Sequence, residues 1–224
     1  MKALAIDCAV TRMTVAAKND DIFCAAVYDI GMKQSETIVT AINYVLEKTG
    51  LTASELDYTA VSGGPGSFTG LRLGFSALKA LTLSFNTPLY AISSLKVYGW
   101  AYSDLDIPLL CGIDARKERF YASITQKDRI ILEDGDYEIE TLVKKASEFE
   151  KILLCGPDSE VLKGLLEEGG VKAKIILPKV QAISCESMFQ IAEEMILKGE
   201  KPLPDYEGPV YLRASEAEVK LQSS

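Results

Sequence analysis

Residues 3–29, ALAIDCAVTRMTVAAKNDDIFCAAVYD, decide the fold, because the chain carries their pattern twice. An apolar run ends in Asp7 and a turn follows. Two further strand-like runs are then separated by the polar turn Asn19-Asp20. Residues 109–137, LLCGIDARKERFYASITQKDRIILEDGDY, take the same order around Asp114. A single offset pairs Asp7 with Asp114 and the Asn19-Asp20 turn with Gln126-Lys127.

The correspondence continues downstream. In the first half a helix over residues 35–48 leads to a strand over 58–63, an apolar helix over 69–85, a strand over 88–92 and a helix from Ser93 or Ser94 to about Tyr102. In the second half a helix over 138–147 precedes a strand over 151–155 that ends at Gly156-Pro157. A helix over 158–168, a strand over 174–177 and a helix over 184–198 follow. Both halves run β-β-β-α-β-α-β-α, which predicts an α/β chain of two subdomains, each a mixed sheet covered by helices. The expected division is 1–103 and 104–224, with the tail from about residue 206 returning to the first subdomain.

The segment VSGGPGSFTGLRLGFSALKALTLSF, residues 61–85, turns from strand to helix through Gly63, Gly64, Pro65 and Gly66, with Ser67 or Thr69 opening the helix. Such a unit invites a phosphate-binding reading, since helix N-termini attract anions. The spacing opposes it. Leu71 and Arg72 follow Gly70 where a Walker loop needs Lys-Ser/Thr, and the GxGxxG spacing fails. The helix itself has two apolar stripes, Leu71, Phe75, Leu78, Thr82 and Phe85 on one side and Leu73, Ala77, Ala80 and Ser84 nearly opposite. Only Arg72 and Lys79 mark a polar edge. A helix of this kind is either buried between layers or presents one side to a partner. The helix from Ser35 spreads Ile38, Val39, Ala41, Ile42, Tyr44, Val45 and Leu46 over roughly 220° of arc, more than one sheet needs. Together they predict a two-helix partner face of Ile38, Ala41, Ile42, Val45, Leu71, Phe75, Leu78 and Thr82.

Composition narrows the chemistry. The 224 residues include no histidine, which removes Ser-His and Cys-His nucleophiles, histidine bases and His-containing metal sites. The five cysteines are widely spaced, with no CxxC pair, and read as reduced thiols of a cytoplasmic protein that binds no metal. A net charge of −8 opposes an extended nucleic-acid footprint. No signal peptide fits the first ten residues, and no run is long enough for a membrane span.

Four strings carry a resemblance: LAIDCAVT at the start, VSGGPGSFTGLRLG at 61–74, GIDARKERFYASI at 112–124 and PVYLRASEAE at 209–218. With them the chain resembles, nearly end to end, the TsaB (YeaZ) family, a branch of the actin-like, Hsp70-like and sugar-kinase ATPase fold. The resemblance implies a non-catalytic subunit in tRNA threonylcarbamoyladenosine synthesis. Its partners would be TsaD, the paralogue that carries the active site, and TsaE, an ATPase, with tRNA reached only through the complex. It also implies a homodimer when the chain is alone, and no cofactor on the isolated chain, a nucleotide between subunits remaining open.

The departures from an active member fit that role. Phosphate loops of this fold read Asp-x-Gly-Thr, whereas Cys8, Ala9, Val10 and Thr11 follow Asp7, and Ala115-Arg116 follow Asp114. Asp7 and Asp114 are the weak candidates for cofactor contact, with capping of hairpin turns as the other reading. Arg116 is either a surface ion-pair residue or a contact for an anion or partner. No residue is assigned a catalytic role. The competing function is an ATP-dependent small-molecule kinase of the sugar-kinase type; a protease would need a nucleophile–base pair or metal site that the sequence does not offer.

Overall fold

The computed structural model describes residues 1–127 and 129–213. Each half of the sequence builds a five-stranded sheet. In the first, β1 (Lys2–Asp7), β2 (Arg12–Asn19) and β3 (Ile22–Asp29) form an antiparallel meander. α1 (Gln34–Thr49), β4 (Tyr58–Gly64), α2 (Phe68–Phe85), β5 (Leu89–Ser93) and the short α3 (Ser94–Gly99) follow. β4 and β5 add parallel to β1, giving the order β3-β2-β1-β4-β5. The second half repeats this with β6 (Leu109–Asp114), β7 (Arg119–Gln126), β8 (Arg129–Glu138), α4 (Ile139–Ala146), β9 (Lys151–Cys155), α5 (Ser159–Glu168) and β10 (Lys174–Ile176). Its order, β10-β9-β6-β7-β8, is the first order read from the other edge. The duplicated α/β architecture inferred from sequence is therefore present strand for strand.

The helix boundaries have local causes. The Ser67 hydroxyl accepts from the Gly70 N–H at 3.3 Å and caps α2, so of the two candidate openers Ser67 serves. α2 stops at Asn86, whose left-handed φ of 57° precedes Thr87-Pro88, and α1 stops at Gly50 with φ of 68°. On one face of the first sheet, Leu4, Ile6, Met13, Val15 and Ala17 meet Ile38, Ala41, Val45 and Leu46 from α1 and Phe75 and Leu78 from α2. The alternation of β1 and β2 turns Ala3, Ala5 and Ala16 to the other face, where small side chains let a helix come close.

That helix is α6 (Ser184–Leu197), and its place corrects the expected domain boundary. The chain divides into residues 1–97 with 183–210, and 98–182 with 211–213. α6 packs on β1, β2, β4 and β5 of the first sheet, not on the second. A sheet with α1 and α2 on one face has a second face to cover, and besides them the first half offers only the six-residue α3. Polar groups fasten α6 there. Lys18 Nζ lies 2.6 Å from Glu193 Oε1, and the Tyr58 hydroxyl donates to the same oxygen at 3.0 Å. The Cys185 thiol donates to the Ala5 and Thr14 carbonyls at 3.5 and 3.4 Å. In the second unit Leu110, Ala122, Ile124, Ile152 and Leu154 form a separate core with Leu142 and Ala146 of α4 and Leu162 and Leu166 of α5.

The expected return of the tail lies only partly within the described residues. Leu203 N–H donates to the Leu89 carbonyl at 2.7 Å, and Val210 N–H donates to the Gly63 carbonyl at 2.8 Å, both on the first unit. Tyr211 to Arg213 belong to the second, where Arg213 Nε donates to Asp136 at 2.9 Å and Nη1 to the Ala115 carbonyl at 2.9 Å. The ASEAE segment of the family string, residues 214–218, lies outside the described residues.

Candidate functional site

Two places on the chain bear on function: the turns that would hold a nucleotide, and the helical layer of the first unit. At the end of β1 Asp7 is only 2% exposed, and its Oδ1 accepts from the Ser62 hydroxyl at 2.6 Å and the Ala9 N–H at 3.0 Å. Of its two readings the geometry realises the turn cap, with a cross-link to β4 that the sequence did not suggest. The Cys8 thiol beside it is buried, and burial first, then the Asp7 charge, pushes its pKa far up.

The carbonyls of this turn are covered by the protein itself. Ser67 N–H donates to the Ala9 carbonyl at 2.7 Å. The Gln34 side-chain amide donates to the Val10 and Thr11 carbonyls at 2.8 and 2.9 Å. A Cβ at Gly70 would collide with the Cys8 carbonyl, and one at Gly66 with the Ala9 carbonyl. Gly66 and Gly70 thus let the start of α2 press against the β1–β2 turn, while Gly63 lies against Ile92 and Gly64 against the Val210 carbonyl. Gln34, buried at the first position of α1, was missed in the sequence. No local signal marked it, because the carbonyls it holds, those of Val10 and Thr11, lie far earlier in the chain.

At the end of β6 Asp114 behaves alike. Its Oδ1 accepts from Arg116 N–H at 2.7 Å, and its own N–H donates to Asp158 Oδ2 at 2.9 Å. Burial raises the Asp158 pKa; the Asp114 N–H opposes the rise and the Asp114 charge adds to it. The Arg116 guanidinium lies 3.6 Å from Asp114 with its side chain 81% exposed, so the ion pair is worth little. The structure brings Asp114 and Arg116 together, whereas Asp7 belongs to the other unit.

The helical layer overturns the predicted partner residues. Ile38, Ala41, Ile42, Val45, Leu71, Phe75 and Leu78 are all buried in the first unit, most of them in its main core cluster. Thr82 is half-buried, and its hydroxyl donates to the Leu78 carbonyl within its own helix at 3.3 Å. The reason is plain. The stripe that periodicity marks most strongly is the one the sheet claims, because bulky side chains seal the core. What points outward is part of the weaker stripe, Ala80 and Ser84, joined by Leu83 and by Phe85 at the end of the stronger one. On α2 Ala80, Leu83, Ser84 and Phe85 are exposed, Leu83 at 80%, and Leu73, Ala77 and Leu81 are half-buried at its flank. On α1 only Val39 and Tyr44 are exposed apolar positions, with Thr40, Asn43 and Glu47 making the rest of that surface polar.

Comparison with known proteins places this architecture. Residues 31–202 match the family model described as TsaD, tRNA N6-adenosine threonylcarbamoyltransferase. Over nearly its whole length the chain is 27% identical to the tRNA threonylcarbamoyladenosine biosynthesis protein TsaB of Escherichia coli, covering 99% of this chain and 98% of that one. It is 28% identical to the TsaB protein of Bacillus subtilis, covering 98% and 97%. The chain belongs to the TsaB (YeaZ) family. Among solved structures, YeaZ from Pseudomonas aeruginosa shares the fold with a TM-score of 0.74, 20% identity and coverage of 94% and 99%. An Arthrobacter polyphosphate/ATP-glucomannokinase shares it more distantly, with a TM-score of 0.50, 12% identity and coverage of 88% and 99%. A TsaB-family chain thus shares the fold of the glucomannokinase, with its β1–β2 turn packed against α2 and Gln34.

Proposed function

We propose that the chain is a non-catalytic subunit in threonylcarbamoyladenosine synthesis on tRNA, and that it holds the catalytic subunit TsaD through the outward side of α2 and the adjoining shoulder of α1. The observation that carries this is the second side of α2. Its core side is filled, yet Ala80, Leu83 and Phe85 lie exposed on a helix with almost no charge. Small residues at Ala77, Ala80 and Ser84 let a partner helix approach closely, and Leu83 supplies the knob. The β1–β2 turn supports the absence of turnover, since Ala9 carries a Cβ where phosphate loops of this fold have glycine, and its carbonyl is held by the Ser67 N–H at the start of α2. Alone, the chain covers the same side with a second copy; TsaE and tRNA join through the catalytic subunit. Among the described residues no helix is long and apolar enough to cross a membrane.

The test is reconstitution. The chain should bring TsaD down in stoichiometric amount and raise formation of the modified nucleoside, while hydrolysing no ATP by itself. Steady ATP turnover by the isolated chain that ceases with Asp114→Asn would instead support a kinase of the sugar-kinase type.

A further inference from the structure

After α6 the chain returns along the first unit through residues 200–210, and one turn in this stretch is held with unusual firmness. Its flanks are tied to the sheet by the Leu203 N–H to Leu89 and Val210 N–H to Gly63 bonds. Between them Glu207 N–H donates to the Pro204 carbonyl at 3.0 Å and closes a turn. The ammonium of Lys79, from α2, donates to the carbonyl of Asp205 at 2.6 Å and also to that of Glu207. Pro202, Pro204 and Pro209 further restrict the segment.

At the tip of this fixed turn Tyr206 is 88% exposed. A long aromatic side chain on a rigid support, left in water, gains nothing for the monomer and loses little entropy on docking. Lys79 and Leu83 stand one helical turn apart on α2, so the pinned turn lies beside the exposed end of that helix. Asp205 and Glu207, both exposed, flank the ring with two carboxylates. That charge repels phosphate, which argues against a nucleic acid, and repels an identical acidic turn, so a second copy seated on α2 would not be what this turn itself engages.

We propose that the turn at 204–208 is a second anchor of the partner face, with Tyr206 entering an apolar pocket of the catalytic subunit whose rim carries Lys or Arg side chains facing Asp205 and Glu207. The inference rests on the reading of α2 as the partner side. Lys79 acts as a positioning residue, since it holds the turn without itself reaching outward.

Calorimetric titration of TsaD into the full chain, at low and raised salt, tests it. Tyr206→Ala should weaken binding by about 30-fold, as expected of a central aromatic anchor, with an unchanged thermal melt. Asp205→Asn with Glu207→Gln should lower affinity at low salt and flatten the salt dependence. Lys79→Met should weaken binding less than Tyr206→Ala, and adding Tyr206→Ala to it should then cost less than it does alone. If Tyr206→Ala binds within about twofold of the parent while Leu83→Glu abolishes binding, the turn is outside the interface and the α2 face stands. If neither variant weakens binding, both are wrong. Unchanged subunit affinity with reduced retention of tRNA would overturn the protein partner in favour of a nucleic-acid contact.

Discussion

Gly70 shows at the scale of one residue why a motif can be read correctly as special and wrongly as a binding loop. Its Cα sits where any side chain would meet the Cys8 carbonyl, so the glycine is demanded by packing. Gly70→Ala should therefore destabilise the fold by about 3 kcal/mol or more in a urea titration, with no ligand added. A loss of only a few tenths would return the glycine to a binding role. Asp158 offers a test through pH. Burial raises its folded pKa above the unfolded value, so its protonated form is the one the fold favours. That stabilisation is full below the unfolded pKa and is lost as pH rises through the folded pKa. Asparagine keeps an oxygen for the Asp114 N–H and carries no charge. Asp158→Asn should thus be more stable than the parent at pH 7, and the difference should vanish near pH 3. A variant less stable at pH 7 would show that the charge itself is needed. Asp7 and Asp114 could be placed at turns from their position after an apolar run. The Ser62 and Asp158 partners could not, because each comes from a strand or loop far along the chain.

At the scale of the element, α2 carries the lesson. Periodicity found both of its apolar sides but could not assign them, since a wheel says which residues share a face and nothing about which face the sheet takes. The heavier stripe was core, and the eight residues named from it and from α1 are inside or turned to their own helix. Leu78→Glu should consequently abolish the cooperative melt of the first unit, because an unmatched carboxylate would be buried at a fully enclosed site, a cost of several kcal/mol. A soluble variant with an unchanged melt would contradict this packing. α6 was legible as a helix and misplaced by association, as its neighbours in sequence belong to the second unit. Only the vacant face of the first sheet, and partners such as Lys18 and Tyr58 lying far earlier in the chain, reveal where it goes.

For the whole molecule, the duplicated order of elements was legible because it rests on period-2 runs, turn residues and an acid at the end of each first strand. Those are local signals, and the two sheets repeat them strand for strand. What was not legible was how each of the two turns is held, because that depends on groups brought to it from elsewhere: Gln34, Ser67 and Gly70 at the first, Asp158 at the second. The central claim is that the outward side of α2 binds the catalytic subunit. Ala80→Glu tests it most directly, since position 80 is exposed, the substitution suits a helix, and no core contact is removed. Sedimentation of the variant with TsaD, beside its thermal melt, should show an unchanged melt, affinity lowered by about tenfold or more, and a parallel fall in nucleoside modification. Undiminished affinity in a folded Ala80→Glu protein would contradict the account.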